Sequence, residues 1–301
     1  MTPAVFRQSP FRRGALAGAA WLVLATSGLA MEWPADYEIG EGTTSPDGHY
    51  GILVPGDDLP EVAGENVNFL ADLKEHKVLG KIAQSNFRPH RTHQELHVTW
   101  APDSSRCVAE YDMRFGVYSL LVLAPKGEAF QQLDAGVKIR ATLGEVISGP
   151  SGTEIETADV TCRLGPDARI QFRAIGNDDP KGDHPRSKAA IFQGVFDAAS
   201  GRWPSLSAQK ADRPMAENFL KACAPLSTDF QDLGPESRVV ALNKTLADLL
   251  RVLKVILPAD KFAALETEQS GWILGRDSVI EPEPKAIMIL ERVKVLRELL
   301  W

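Results

Sequence analysis

The sequence is short of cysteine, of positive charge and of long apolar runs, and each shortage excludes something. Three cysteines in 301 residues, Cys107, Cys162 and Cys223, are too few for a fold held together by disulfides. In an oxidising compartment Cys107 and Cys162 are the pair placed to bond, since each flanks an equivalent turn motif; three buried thiols is the other outcome left open. Lys and Arg number 33 against 40 Asp and Glu. No basic stripe interrupts that excess, so the surface repels phosphate backbones: nucleic acid is not an expected partner, whereas a cationic protein is. No segment after Ala30 has the length and apolarity to span a bilayer. A nucleophile elbow, a phosphate loop, a dinucleotide fingerprint and a metalloprotease helix are all missing. The chain therefore reads as non-enzymatic, with no cofactor. The alternatives are an unrecognised hydrolase, which needs a cleft holding perturbed carboxylates or the pair His93 and His97, and a purely structural envelope protein.

The one apolar run stands at the start. Arg7, Arg12 and Arg13 precede Gly14 to Ala30, an Ala- and Gly-rich stretch of 17 residues that closes on the small residues Gly28-Leu29-Ala30. A positive region, a short apolar core and a small-x-small site are the parts of an export signal. Residues 1–30 are thus expected to be a cleaved signal peptide, and the protein periplasmic or secreted; Arg12-Arg13 leaves the general and the twin-arginine routes both open. Without those residues the chain has 30 basic and 40 acidic side chains, a net charge near -10.

From residue 31 to 207 the composition is that of sheet, and a degenerate repeat runs through it. Its copies are Thr44-Ser45-Pro46-Asp47-Gly48, Trp100-Ala101-Pro102-Asp103-Ser104 and Leu164-Gly165-Pro166-Asp167-Ala168, starting 56 and 64 residues apart. In each, Pro presets φ, Asp bonds its own backbone, and apolar alternation follows, so the three aspartates are turn-formers ahead of a strand. The spacing suits a meander of three or four strands per copy. Gly201, between Ala190–Ala199 and Arg202-Trp203, is expected to turn one hairpin. The repeats resemble the WD-like units of TolB-type β-propellers. That resemblance covers about residues 40 to 207 and implies an interaction surface; three copies are fewer than the roughly four to eight blades of a closed ring. The expected fold is therefore a set of antiparallel β meanders, partly propeller-like or sandwich-like.

Four of the six histidines, His76, His90, His93 and His97, lie close together. On a strand, His93, Glu95 and His97 share one face, with side chains about 7 Å apart along it. They are the only metal candidates, weighed against a solvated sheet face. The polar loop Asn177 to Pro185 holds enough oxygens for calcium but lacks the ordered spacing of a calcium loop.

Residues 208–235 are punctuated by Pro214, Pro225 and Pro235 and read as a linker with a short helix over Met215 to Ala222. Beyond them the apolar period becomes 3.6. Leu242, Leu246, Leu249, Leu253 and Ile256 form one stripe; a second helix carries Phe262, Leu265, Gln269, Trp272 and Arg276; a third presents Ile287, Leu290, Val293, Leu296 and Leu300. A small helical hairpin or three-helix domain over 236–301 follows. Leu242-Asn243, the leucine ladder, Gln269, Trp272, Arg276-Asp277 and the helix from Glu291 to Leu299 resemble the LprI-type lysozyme-inhibitor domain. The resemblance implies an exported helical module and lysozyme as a partner. The family's cysteine after the Arg-Asp pair is replaced here by Ile280. Gln269, Trp272 and Arg276, with Asp277 beside them, are the candidate binding residues. Spacings of three and four put the first three on one helical face, where they serve either as a clamp between helices or as a contact surface.

Overall fold

The computed structural model describes residues 32–59, 67–114, 116–149, 155, 158–179, 188–226 and 229–301. The expected signal peptide and most of the Asn177 to Pro185 loop lie outside the described residues.

Each copy of the Pro-Asp motif builds the first hairpin of its own four-stranded antiparallel sheet. The first sheet contains β1 (Tyr37–Ile39), β2 (Tyr50–Pro55), β3 (Phe69–Asp72) and β4 (Lys77–Lys81). The second contains β5 (Glu95–Trp100), β6 (Cys107–Met113), β7 (Gly116–Lys126) and β8 (Ala129–Asp134). The third contains β9 (Asp159–Leu164), β10 (Arg169–Asn177), β11 (Ala189–Asp197) and β12 (Arg202–Ala211). In every sheet the strands follow one another in chain order, so each repeat is a complete meander.

The aspartates act as turn-formers in all three copies. Asp47 Oδ1 accepts from the His49 N–H at 3.0 Å, Asp103 Oδ1 from Ser105 at 3.1 Å and Asp167 Oδ1 from Arg169 at 3.1 Å. Each bond closes an Asx-type turn two residues on. Gly48 takes the positive φ of 68° that the first of these turns requires. Neighbouring turns also touch: the Asp47 N–H donates to Ser104 Oγ at 3.3 Å, and Arg106 Nη2 donates to the Gly165 carbonyl at 2.7 Å. The repeats are thereby tied together at their turn ends.

The sheets stack face on face, and strand alternation assigns each side chain to its layer. Ile52, Val54 and Leu70 of the first sheet meet Ala109, Tyr111, Leu121 and Leu123 of the second. On its opposite face the second sheet turns Val108, Leu120 and Val122 toward Phe172, Phe192 and Phe196 of the third. That layer also receives α1 (Gly136–Ser148), whose Ile139, Leu143 and Ile147 are buried at spacings of four. The sequence reading placed no helix between residues 31 and 207. Its apolar stripe is short and finds its partner only between two sheets distant in sequence.

The far face of the third sheet is covered by helices. Ile175, Ala189 and Ile191 share a core with α2 (Arg213–Cys223), α3 (Pro235–Ile256), α4 (Ala259–Asp277) and α5 (Pro282–Glu298). Burial on both faces explains why β11 is a nearly continuous apolar run; β10 keeps Gln171 and Arg173, which donate to the carbonyls of Leu300 and Trp301 after α5. Among the described residues no barrel or propeller ring closes: helices occupy the face on which another sheet would stack.

Residues 208–235, expected as a linker with a short helix over Met215 to Ala222, contain that helix as α2 and more ordered structure around it. β12 runs on to Ala211, and α2 buries Ala216, Phe219 and Cys223 against the third sheet. Pro214 opens this helix rather than breaking it, because a first-turn N–H has no helical partner to lose; Asp212 caps the end by accepting from the Met215 N–H at 2.8 Å. The stripe of α3 is placed as expected, with Leu242, Leu246, Leu249 and Leu253 buried. On α5 the buried set is Ala286, Ile289, Val293 and Leu296, whereas Ile287 is 54 % exposed. Apolar residues surround the start of α5, so hydropathy alone could not set its rotation; packing against α3 does.

Candidate functional site

On α4, Gln269, Trp272 and Arg276 come together as their spacing requires, and each is tied to another helix. The Trp272 ring lies between two guanidinium groups, with Arg276 at 5.5 Å and Arg292 of α5 at 5.9 Å from its centroid. Arg276 Nη1 donates to Asn243 Oδ1 of α3 at 2.9 Å, and its Nε donates to Asp277 Oδ1 at 2.8 Å. Arg292, 8 % exposed, donates through Nε to Gln269 Oε1 at 2.9 Å and through Nη1 to Glu268 Oε1 at 2.6 Å. Three helices are thereby joined by forked charge-assisted bonds around one half-buried indole. Asp277 is the exposed member at the edge of this group. Arg292 stood in the sequence only as part of the helix from Glu291 to Leu299, and Glu268 was not singled out; an Arg within the buried stripe between Ile289 and Leu296 was the signal for the clamp.

A second constellation lies where the second and third sheets meet. Glu95 and His97 share a face of β5 as expected, but His93 stands before the strand with φ of 64° and does not join them. A turn residue in the left-handed region leaves the two-residue alternation, so the expected row of three ends at two. The third member is Asp112, which lies opposite Glu95 on β6. His97 Nε2 is 3.0 Å from Glu95 Oε2 and 3.6 Å from Asp112 Oδ2. One donor atom from each of the three residues falls within 4.8 Å of the others, an oxygen and nitrogen set that suits a divalent cation. His76 instead stacks on Trp33, ring centroids 4.2 Å apart.

Behind this trio the acidic character deepens. Glu110, opposite His97 on β6, is pushed up to about 8 by burial and then by the charges of Asp112 and Asp159. Burial lifts Asp112 to about 6, against the opposing pull of His97. Asp159 at the start of β9 is raised by burial and by Glu217, while Arg213 pulls it down. Asp159 and Glu217 also line, with Arg114 and Arg213, a cleft of about 240 Å³ at the junction with α2. Burial is the first cause of all three upward displacements, and neighbouring carboxylates add to it, so ionising this group of side chains is costly without an added cation. Only strand register brings these carboxylates together, so linear spacing could not reveal Asp112 or Glu110 as partners of His97.

No protein-family model matches this chain, and no curated protein matches it.

The three thiols are free. Cys107 lies in the core between the first two sheets, while Cys162 on β9 packs at the edge of the core between the second and third. The bond left open between them is therefore not formed. Among the described residues no helix is long and apolar enough to cross a membrane.

Proposed function

We propose that this chain is an exported, non-enzymatic binding protein of the cell envelope, periplasmic or secreted, which takes a cationic protein partner on its acidic face. The observation that carries this reading is the set Glu95, Glu110, Asp112 and Asp159, gathered from three strands onto one face, with Glu110, Asp112 and Asp159 displaced upward. Arg or Lys side chains from a partner would supply the missing counter-charge, and the excess of acidic residues in the chain would speed encounter. The resemblance of Asn243, Gln269, Trp272 and Arg276 to the LprI-type domain makes lysozyme, a cationic protein, the first candidate. In this reading the clamp around Trp272 organises the helical unit, and the three stacked meanders are a shortened propeller-like scaffold.

The test is binding of immobilised lysozyme by residues 31–301 at low and high salt. The expected result is saturable capture that weakens with salt and is reduced at least about tenfold by the double variant Glu95→Gln, Asp112→Asn. Capture indifferent to salt and to both substitutions would remove the acidic face from the reading. One observation favours a hydrolase instead: Glu110 and Asp112, at about 8 and about 6, are carboxyls held at different proton affinities, as an acid and a base require. Turnover of a glycan or peptide, abolished by Asp112→Asn, would decide for it.

A further inference from the structure

A polar pocket of about 420 Å³ opens elsewhere, between the loop that follows β4 and the junction of β7, β8 and α1. Its walls are held in place before any ligand arrives. The Gln132 amide clasps the backbone of Ala83 on both sides, accepting from its N–H at 2.9 Å and donating to its carbonyl at 3.0 Å, and the Tyr118 hydroxyl donates to Asn86 Oδ1.

Two polar atoms of its lining have no hydrogen-bond partner among the described residues. Ser119 is 1 % exposed, and its Oγ is buried without a hydrogen bond. Asp134 uses Oδ1 to accept from the Val137 N–H at 3.2 Å at the start of α1, while its shielded Oδ2 has no partner. A buried hydroxyl or carboxylate oxygen left unpaired costs on the order of 1–3 kcal/mol, so two lining one pocket mark a place that gains from an incoming polar group. A carboxylate oxygen accepts only, whereas a hydroxyl both donates and accepts. The incoming ligand must therefore bring a donor to Asp134 Oδ2 and either a donor or an acceptor to Ser119 Oγ, a pairing that hydroxyl groups satisfy at both places.

We infer that this pocket binds a small, uncharged, hydroxyl-rich ligand, a mono- or disaccharide. The lining favours that class over ions. It offers one carboxylate and one guanidinium, and Arg140 already has an interaction of its own, so no surplus of either charge is presented to a simple anion or cation, and glycine is the control for a zwitterion. The amides of Gln84 and Asn86 can each donate and accept, and the Tyr118 ring adds an apolar surface. The volume falls in the lower part of the roughly 300–1,000 Å³ range of small-molecule pockets. The inference is independent of the acidic face, which lies on different residues.

The experiment is titration of residues 31–301 with glucose, N-acetylglucosamine and their β-1,4-linked disaccharides by calorimetry and ligand-observed NMR, with glycine and inorganic phosphate as controls. Saturable binding of at least one sugar is expected. Ser119→Ala should weaken it at least about fivefold, one hydrogen bond's worth, while leaving the melting temperature unchanged or higher. Asp134→Asn should weaken it similarly, since the amide oxygen can still accept from Val137 but the second oxygen is lost. If Asp134→Asn does not fold, Asn86→Ala on the exposed wall serves as the second arm. No sugar binding, binding unaffected by these substitutions, or preference for glycine or phosphate would each overturn the inference.

Discussion

Glu110→Gln tests the electrostatic account of the acidic face directly. Burial is the largest cause of the displacement of Glu110, followed by Asp112 and Asp159, and together they lift it from an ordinary 4.5 to about 8. At 1.36 kcal/mol per unit, that displacement is worth at most roughly 5 kcal/mol. The sign follows from linkage: the folded state holds the proton more tightly than the unfolded one. Stability is complete below about pH 4.5 and falls as pH rises, until the folded group also ionises near 8. Gln has the same shape and cannot ionise. Urea unfolding of both proteins at half-unit pH steps should therefore show a stability difference close to zero at pH 4. The variant's advantage should grow between 5 and 8 and level off above. Asp112, itself raised to about 6, titrates in both proteins, and because its charge helps to raise Glu110, part of the difference develops as Asp112 ionises. Stability curves that run parallel from pH 4 to 9 would refute the reasoning.

Three further outcomes are expected. Arg292→Met removes the guanidinium that holds the Gln269 and Glu268 side chains; with Gln269 only 5 % exposed, urea melts should show a loss of about 2–3 kcal/mol, and a loss below about 0.5 kcal/mol would end the clamp reading. Gly194→Ala places a Cβ 2.8 Å from the rings of Phe192 and Trp203; neither flat ring can yield easily within the packed core, so a cost of about 1–3 kcal/mol is expected in the same assay. The thiols of Cys162 and Cys223, pushed up to about 12 by burial, and that of Cys107, also raised by burial, should resist a thiol reagent at pH 8 in the folded protein and react in urea. Rapid labelling of the folded chain would contradict their placement.

The three Pro-Asp turns were legible because their chemistry is local: each aspartate bonds an N–H two residues on, so no distant part of the chain is needed. The same holds for the leucine stripe of α3 and for the spacing that brings Gln269, Trp272 and Arg276 together. Legibility ends where a partner comes from elsewhere. His93 was grouped with Glu95 and His97 by a period that its turn conformation interrupts, and Asp112 replaces it through the pairing of β5 with β6. Along α5 and the turn after it, the expected Val293, Leu296 and Leu300 are buried and Leu290 packs beside them, but Ile287 faces outward because the apolar residues at the start of the helix do not outline a single face. The short helix expected over Met215 to Ala222 is α2; its docking on the third sheet was hidden because prolines that open a helix, as Pro214 and Pro235 do, have the same sequence appearance as prolines that end one.

By itself the sequence determined the local geometry: where chains turn, which stretches alternate, which wind with period 3.6, and that the exterior is acidic. Tertiary structure decided what those surfaces meet. The stacking of three sheets buried α1 between two of them, and the docking of α2 made the third sheet internal on both faces. Strand register drove four carboxyl groups into one crowded face, and the close approach of the loop after β4 to β7 and α1 enclosed Ser119 and Asp134. These are consequences of distance through space, and a period along the chain carries no information about residues that lie dozens of positions away.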